Sequence, residues 1–380
     1  MAQGAGHKLH LEGLELQVVV DLLLDGPISR ADLARRHGLT ASTVTRLVAP
    51  LLKAGLIREA DEEPRTGKLG RPSKPLSFVT ETRRFVGIKL TADAVAGVLV
   101  DFSANVSASA QLPLLGRDPE AVVDRVAELT AELAGGESIA GIGVGLGGNV
   151  TEDDTVQHAP FLGWHGVPLG DLVTARTGVP TAIANDVAGL TEAERWFGAG
   201  HGLDSFALVT IGAGVGYGLV SNGARVHSPD YGVGLLGHIQ LDSNGPRCPQ
   251  GHIGCAAAML SDWAIAANVS AGLGRPVEFD EALNLALDGN PVASGVVSSS
   301  GRALGRLIAS IANIAMPQRV IISGEAVRLA DVALHDLAAG IDAHREPLAN
   351  DVDYVIEHSS TSDWARGAAV IAIQRWAAPR

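Results

Sequence analysis

The sequence predicts an α/β protein in two parts: a small helical module with two short strands over residues 10–80, and a larger two-lobed α/β domain over residues 84–380. Three observations predict it. Capped helical periodicity fills the N-terminal region, whereas after Arg84 short β-branched runs alternate with amphipathic helical ones. Charge divides at the same place: Arg30 to Arg84 holds twelve Arg or Lys against six Asp or Glu, in a chain of formal net charge −13. Finally, 380 residues with 46% hydrophobic and 19% charged content can bury more than one core. A basic module on an acidic body suits a protein that meets phosphates at one end only, and the total charge excludes one whose whole surface binds nucleic acid.

Gly13 to Asp25 carries apolar residues at Leu14, Val18, Leu22 and at Leu16, Val19, Leu23, a helix with a wide apolar face that Gly26-Pro27 stops. Ser29 and Asp32 have capping-box spacing for a short helix, Arg30 to His37, ended by Gly38. Thr40 caps a third helix to about Ala54, with Val44, Leu47, Val48, Leu51 and Leu52 as its stripe and Gly55 as its stop. Helix, short helix, glycine-containing turn, helix is the helix-turn-helix layout. The third helix opens with Ser42, Thr43, Thr45 and Arg46, short hydroxyl side chains and one Arg that suit entry into a major groove. Leu56–Arg58 and Leu76–Phe78 read as the strands of a wing. Between them a basic stretch includes Gly70-Arg71-Pro72 and Lys74, in which proline holds the chain extended and presents Arg71 to a narrow minor groove. The competing reading, a helical linker domain with a charged loop, does not account for the agreement of caps, hydroxyl-rich helix start and basic wing. The acidic run Glu59 to Glu63 runs against DNA contact and has no explanation at this level.

In the larger part, Phe85–Lys89, Ala94–Asp101 and Val106–Pro113 read as strands, followed by a helix at Pro119–Ala134 and a strand at Ile139–Leu146. A helix at Leu169–Thr177, a strand at Val179–Ala184 and a helix at Val187–Phe197 follow. Phe206–Ile211 opens a second lobe, with a long helix at Val292–Ala315, a strand at Val320–Ser323 and a last helix at Trp364–Trp376. Two-lobed α/β folds place ligands in the cleft between lobes. The two cysteines, Cys248 and Cys255, are too few for a disulfide framework and close enough together to suggest a shared site. Met1 to His10 lacks the pattern of a secretory signal and no stretch is apolar enough to span a bilayer, so no membrane partner is expected and the cytoplasm is the expected compartment.

Gly143 to Val150 (GVGLGGNV), Phe161-Leu162-Gly163-Trp164, Val179-Pro180 and Asn185-Asp186 together resemble the ROK family of repressors, open reading frames and sugar kinases. Ile211 to Gly218 resembles that family's second phosphate loop, and Leu236-Gly237-His238 with Cys248 to Cys255 resembles its zinc motif. With the N-terminal winged helix, the resemblance covers nearly the whole chain and is to the NagC/XylR-type repressors of the family. It implies an actin-like ATPase (sugar-kinase) fold for residues 84–380 and a homodimer or homotetramer. The implied partners are a double-stranded DNA operator and a small carbohydrate effector. It further implies a ligand site at Gly148, Asn149, Asn185, Asp186 and His238, and zinc held by His238, Cys248 and Cys255.

The sequence also departs from the family. Lys89 stands where the kinases have Asp, Thr91-Ala92 replace Gly-Gly, and Asp93 replaces Thr. A carboxylate at Asp93 repels phosphate, so neither phosphoryl transfer nor ATP is expected, and no catalytic residue is assigned. Taken alone, Gly212–Gly218 reads equally as a strand–turn–strand with packing glycines, and Asn185-Asp186 as a cap for Val187–Phe197. Gln250, a poor ligand, replaces the middle Cys of the zinc motif; His252 could substitute, and a metal-free loop with two thiols is the other reading. Leu235 and Ala257 replace two sugar-binding glutamates, each lost charged hydrogen bond being worth about 1.5–3 kcal/mol, which points to an altered or more apolar ligand. Three functions follow: a regulator with a sugar-type effector, which the winged helix and the family resemblance favour; a sugar kinase with an accessory domain, which Lys89 to Asp93 opposes; and a ligand-independent DNA-binding regulator run by a protein partner.

Overall fold

The computed structural model describes residues 13–60 and 74–377. Its N-terminal module is α1 (Leu14–Asp25), α2 (Arg30–Arg36), α3 (Ala41–Lys53), β1 (Ile57–Glu59) and β2 (Leu76–Phe78), the two strands antiparallel. The caps are made as the residues dictate: Ser29 Oγ accepts from the Asp32 N–H at 3.1 Å and Thr40 Oγ1 from the Thr43 N–H at 3.2 Å. The Asp32 carboxylate accepts from the Ser29 hydroxyl at 2.6 Å.

The first lobe runs β3 (Arg84–Leu90), β4 (Ala94–Val100), β5 (Val106–Pro113), α4 (Pro119–Ala134), β6 (Ile139–Leu146), β7 (Asn149–Val150), β8 (Val156–Ala159), β9 (Trp164–Val167), α5 (Leu169–Thr177), β10 (Thr181–Asn185) and α6 (Asp186–Phe197). Its main sheet has the order β10-β6-β3-β4-β5, with β10, β6 and β3 parallel, while β7, β8 and β9 form a separate small sheet. The second lobe runs β11 (Phe206–Ile211), β12 (Val215–Ser221), β13 (Ala224–Arg225), α7 (Ala256–Leu260), α8 (Asp262–Leu273), α9 (Phe279–Leu287), α10 (Pro291–Ala315), β14 (Arg319–Ser323), α11 (Arg328–Val332), α12 (Leu334–Asp342) and β15 (Tyr354–Ile356). Its sheet order is β13-β12-β11-β14-β15, and the last helix, α13 (Thr361–Ala377), returns to the first lobe.

This order places the candidate site. The carboxyl ends of β3, β6 and β10 share one edge, with Lys89 opposite Gly145 and Asn185 opposite Leu146. In the second lobe β11 and β14 are parallel, with Thr210 opposite Ser323, so the Gly212 turn and Gly324-Glu325 emerge side by side. Ligands in open α/β sheets bind at such strand ends.

Helix α13 lies against β3 and β6 because two glycines admit it. A Cβ at Gly87 would overlap the carbonyl of Ala365, and one at Gly143 the carbonyl of Ala368. The other face of the sheet is covered by Val122, Val126, Leu129 and Leu133 of α4.

The winged helix shares a core with this lobe. Val18, Leu22, Val44, Val48, Leu76 and Phe78 belong to one buried cluster with Phe85, Phe102 and Ile373. Phe102 is the pivot, its ring 4.9 Å from Phe78, 5.0 Å from Phe85 and 4.9 Å from Trp376. It is 1% exposed. Phe102→Ala is expected to destabilise the protein by about 3–5 kcal/mol. In urea unfolding, fluorescence near Trp376 and exchange protection in α3 should then fall together; an α3 that keeps its protection would show the two cores to be independent.

Candidate functional site

Helix α3 turns Val44 and Val48 inward and leaves Ser42, Thr45 and Arg46 exposed, with Thr43 half-buried. Thr43 and Ser42 hydroxyls each lie 2.9 Å from Thr40 Oγ1, and Thr45 donates to the Ala41 carbonyl at 2.9 Å. Among the described residues Arg46 has no acidic partner. Lys74 is 63% exposed at the base of the wing, 3.7 Å from Glu59, which Arg30 also holds at 2.9 Å. These two bases account for Glu59, the first residue of the acidic run; Arg71 lies outside the described residues.

The structure brings Gly148, Asn149, Asn185 and Asp186 together, and adds Lys89. Asn185 is a cap and a strut at once: its Oδ1 accepts from the Ala188 N–H at 3.2 Å and its Nδ2 donates to the Gly148 carbonyl at 3.0 Å. A Cβ at Gly148 would overlap the His158 carbonyl, so only glycine fits. Asn149 Nδ2 donates to the carbonyls of Pro229 and Tyr231 at 2.7 and 2.8 Å, pinning the second-lobe segment that leads to His238.

Asp186 opens α6. Its Oδ1 accepts from the Val187 N–H at 2.9 Å and its Oδ2 pairs with Lys89 Nζ. The two side chains are 12% and 8% exposed, and the ammonium also lies 4.6 Å from the centre of the Trp364 ring. The β3–β4 turn is closed on itself. Thr91 Oγ1 lies 2.8 Å from Asp93 and accepts from the Ala94 N–H at 3.1 Å, and Arg117 donates to the Ala92 carbonyl at 3.1 Å.

Sequence reading missed Glu325, which lies against Gly212 and remains solvent-accessible. Crowding by protein raises its carboxyl above the usual range; its own backbone N–H and Lys89 oppose the rise, while Asp186 and Asp262 add to it. The available signal was a Glu directly after the buried strand end Ser323-Gly324.

The Cys–His loop forms a compact cluster. Ligand atoms of His238, Cys248 and His252 all lie within 4.8 Å of one another. Cys248 Sγ is 3.8 Å from His238 Nδ1 and 3.5 Å from His252 Nδ1, and Cys255 Sγ is 3.8 Å from His238 Nδ1. Tetrahedral zinc, with Zn–N about 2.0–2.1 Å and Zn–S about 2.3 Å, needs ligand-to-ligand edges of about 3.3–3.8 Å. His238, Cys248 and His252 are therefore grouped closely enough to share a cation, and Cys255 Sγ adjoins the trio through His238. Burial raises the Cys248 thiol, but hydrogen bonds from the backbone and ring of His252 outweigh it and bring the thiol down to about 7. Burial dominates at Cys255 and raises it. Gln250 is exposed, and the loop reverses at Gly251, whose φ is +91°.

Comparison with known proteins agrees with this geometry. Residues 85–375 match the ROK family and residues 17–58 match a winged helix-turn-helix DNA-binding family. The chain is 31% identical over 317 residues to the DNA-binding transcriptional dual regulator NagC of Escherichia coli, covering 79% of this chain and 77% of that one. It is 33% identical over 236 residues to the glucokinase of Thermotoga maritima, covering 58% of this chain and 74% of the enzyme. A solved ROK family transcriptional regulator, homologous to the Escherichia coli Mlc protein, has a TM-score of 0.82 at 26% identity and covers 96% of this chain and 98% of its own. Among the described residues no helix is long and apolar enough to cross a membrane. With a DNA-binding winged helix ahead of a full-length match to the larger domain, this chain belongs to the ROK family.

Proposed function

We propose that the chain is a transcriptional regulator of the cytoplasm, a repressor of carbohydrate-related genes, whose sugar-kinase-like domain senses a sugar or sugar derivative without phosphorylating it. The observation that carries this reading is the Lys89–Asp186 ion pair. A carboxylate that is to accept a proton from a sugar hydroxyl must be free to do so. Here Asp186 is already neutralised by a buried ammonium, and the adjoining turn spends its hydrogen bonds on itself. Phosphoryl transfer loses its base and its first phosphate loop, while a cleft for binding remains. Gly148, Asn149, Asn185, Asp186 and His238 are the residues proposed to line it.

The DNA-reading surface is Ser42, Thr43, Thr45 and Arg46 on α3, with Arg71 and Lys74 from the wing. A homodimer presents two such helices to tandem half-sites, and an effector acts by favouring one spacing of them. Zinc in the Cys–His loop is proposed as a structural ion held by His238, Cys248, Cys255 and His252. It would clamp the segment around His238 to that around Cys255, already joined by the Ala257 N–H to Gly237 carbonyl bond at 2.7 Å.

One observation favours a second reading, control by a protein partner without a sugar: the Asn149 and Asn185 amides and the Asp186 carboxylate are all held by the chain itself. A thermal-shift screen against sugars, amino sugars and their phosphates separates the two. A saturable rise in melting temperature with one of them supports the sensor; none across the panel supports the partner-controlled regulator.

Arg46→Ala is expected to weaken operator binding by about 1–3 kcal/mol, and Arg71→Ala to reduce the salt slope by about one. Fluorescence anisotropy at several salt concentrations measures both, and unchanged affinity in the two variants would place the reading surface elsewhere. Metal analysis of untagged protein should give about one zinc per chain, falling in His252→Ala. Protein grown with zinc that carries none would leave the loop metal-free.

A further inference from the structure

The second lobe builds the frame of an anion site and then supplies its own anions. The Gly212-Ala213-Gly214 turn joins β11 to β12, and a Cβ at Gly214 would meet nothing within 4 Å, so the turn faces open space. The amino end of α8 abuts it, the Asp262 N–H donating to the Gly212 carbonyl at 3.1 Å. A glycine turn beside the N-terminus of a twelve-residue helix attracts phosphate. The lysine that acts on this region, Lys89, is paired with Asp186. Against that frame stand two carboxylates: Asp262 in the first turn of α8, and Glu325, placed so that a methyl group at Gly212 would overlap its Oε2. Glu325 is solvent-accessible, yet charges of both lobes act on it: Lys89 and Asp186 from the first, Asp262 from the second. Its carboxylate stands beside the Gly212 turn, at the carboxyl end of β14.

We propose that Glu325 is an anion-excluding residue, which keeps nucleotides and inorganic polyphosphates off the Gly212–Gly214 turn and so makes the cleft respond to its effector independently of them. The chemistry is like-charge repulsion at short range, which costs enough to change affinity by about tenfold or more. The glycines of β12 that follow the turn are kept by packing: a Cβ at Gly216 would overlap Thr210 Oγ1 and one at Gly218 would overlap Thr191 Oγ1, whatever the ligand. The inference depends on the cleft being a binding cleft, as proposed above, but not on its effector being a sugar.

The test is isothermal titration of the full chain with inorganic pyrophosphate and with ADP, at constant ionic strength and without sugar. The unaltered protein should give no saturable binding in the millimolar range. Glu325→Gln should bind both at least about tenfold more tightly, Glu325→Ala should do likewise, and Glu325→Asp, which keeps the charge, should stay like the parent. Glu325 is not packed in a core, and melting temperatures check that the variants fold. Binding by the unaltered protein as tight as that of Glu325→Gln overturns the proposal, as does no gain in either neutral variant. An equal gain in Glu325→Asp assigns the effect to side-chain length and also overturns it. Because no sugar is present, these outcomes are separate from the thermal-shift screen: a failed effector reading leaves the anion result standing, and the reverse.

Discussion

A lysine on a central strand is the constraint around which the larger domain is organised. Lys89 belongs to β3, whose neighbours Ile88 and Leu90 are 0% and 2% exposed. An ammonium there needs an anion, because an unpaired buried charge is among the most unfavourable things a fold can hold. Asp186 answers it from the first turn of α6, and the Trp364 ring from the first turn of α13. Strand, helix and helix therefore meet at one charge. Removing either ionic partner leaves the other buried alone, at about 3–5 kcal/mol, so the pair fixes the register of α6 against the sheet as well as its chemistry. A ligand hydroxyl that engages Asp186 has to compete with Lys89, and on the proposed reading that competition distinguishes a filled cleft from an empty one.

The route from cleft to DNA is short because the winged helix has no separate core. Phe78 of the wing, Phe102 after β4 and Trp376 of α13 touch in series. His201, beyond α6, lies 3.3 Å from Asp25 at the end of α1. The module is thus packed onto the first lobe. The second lobe is tied on through α6 and α13: Glu192 of α6 holds Arg225 of β13 at 3.3 Å and accepts from Gln374 of α13 at 2.8 Å. Asn149 adds a further tie through the carbonyls of Pro229 and Tyr231, and α13 joins the first lobe to the aromatic cluster beneath the wing.

Local signals made much of this legible. Helix α4 is found over Pro119–Ala134, as its Asp118 cap, N-terminal proline and Gly135 stop dictate, and β6, α5 and β11 also keep their expected bounds. The small sheet β7–β9 escaped because strands of two to four residues with polar, exposed positions carry no period. Helix α8 escaped for a related reason: it mixes small and apolar residues all round and shows no clear stripe. At the site, the Cys–His cluster was readable because its members are close in sequence. The Lys89–Asp186 pair was not, since its partners are 97 residues apart and only the β3–β6–β10 register joins them. Lys89 was visible as a departure from the family; that it turns on Asp186 was not.

The Cys–His loop bears on what the cleft can hold. His238 faces the two sulfurs with Nδ1, so a metal taken there would leave Nε2 free of it. Where the family has a glutamate three residues earlier, Leu235 is 65% exposed, and Val233 beside it is 53% exposed. Phe161, reaching toward Gly147 from the first lobe, is 52% exposed. Apolar side chains left open to solvent gain most by covering the C–H faces of a ligand. At position 235 a charged acceptor of the family has given way to an apolar side chain, while His238 keeps its imidazole.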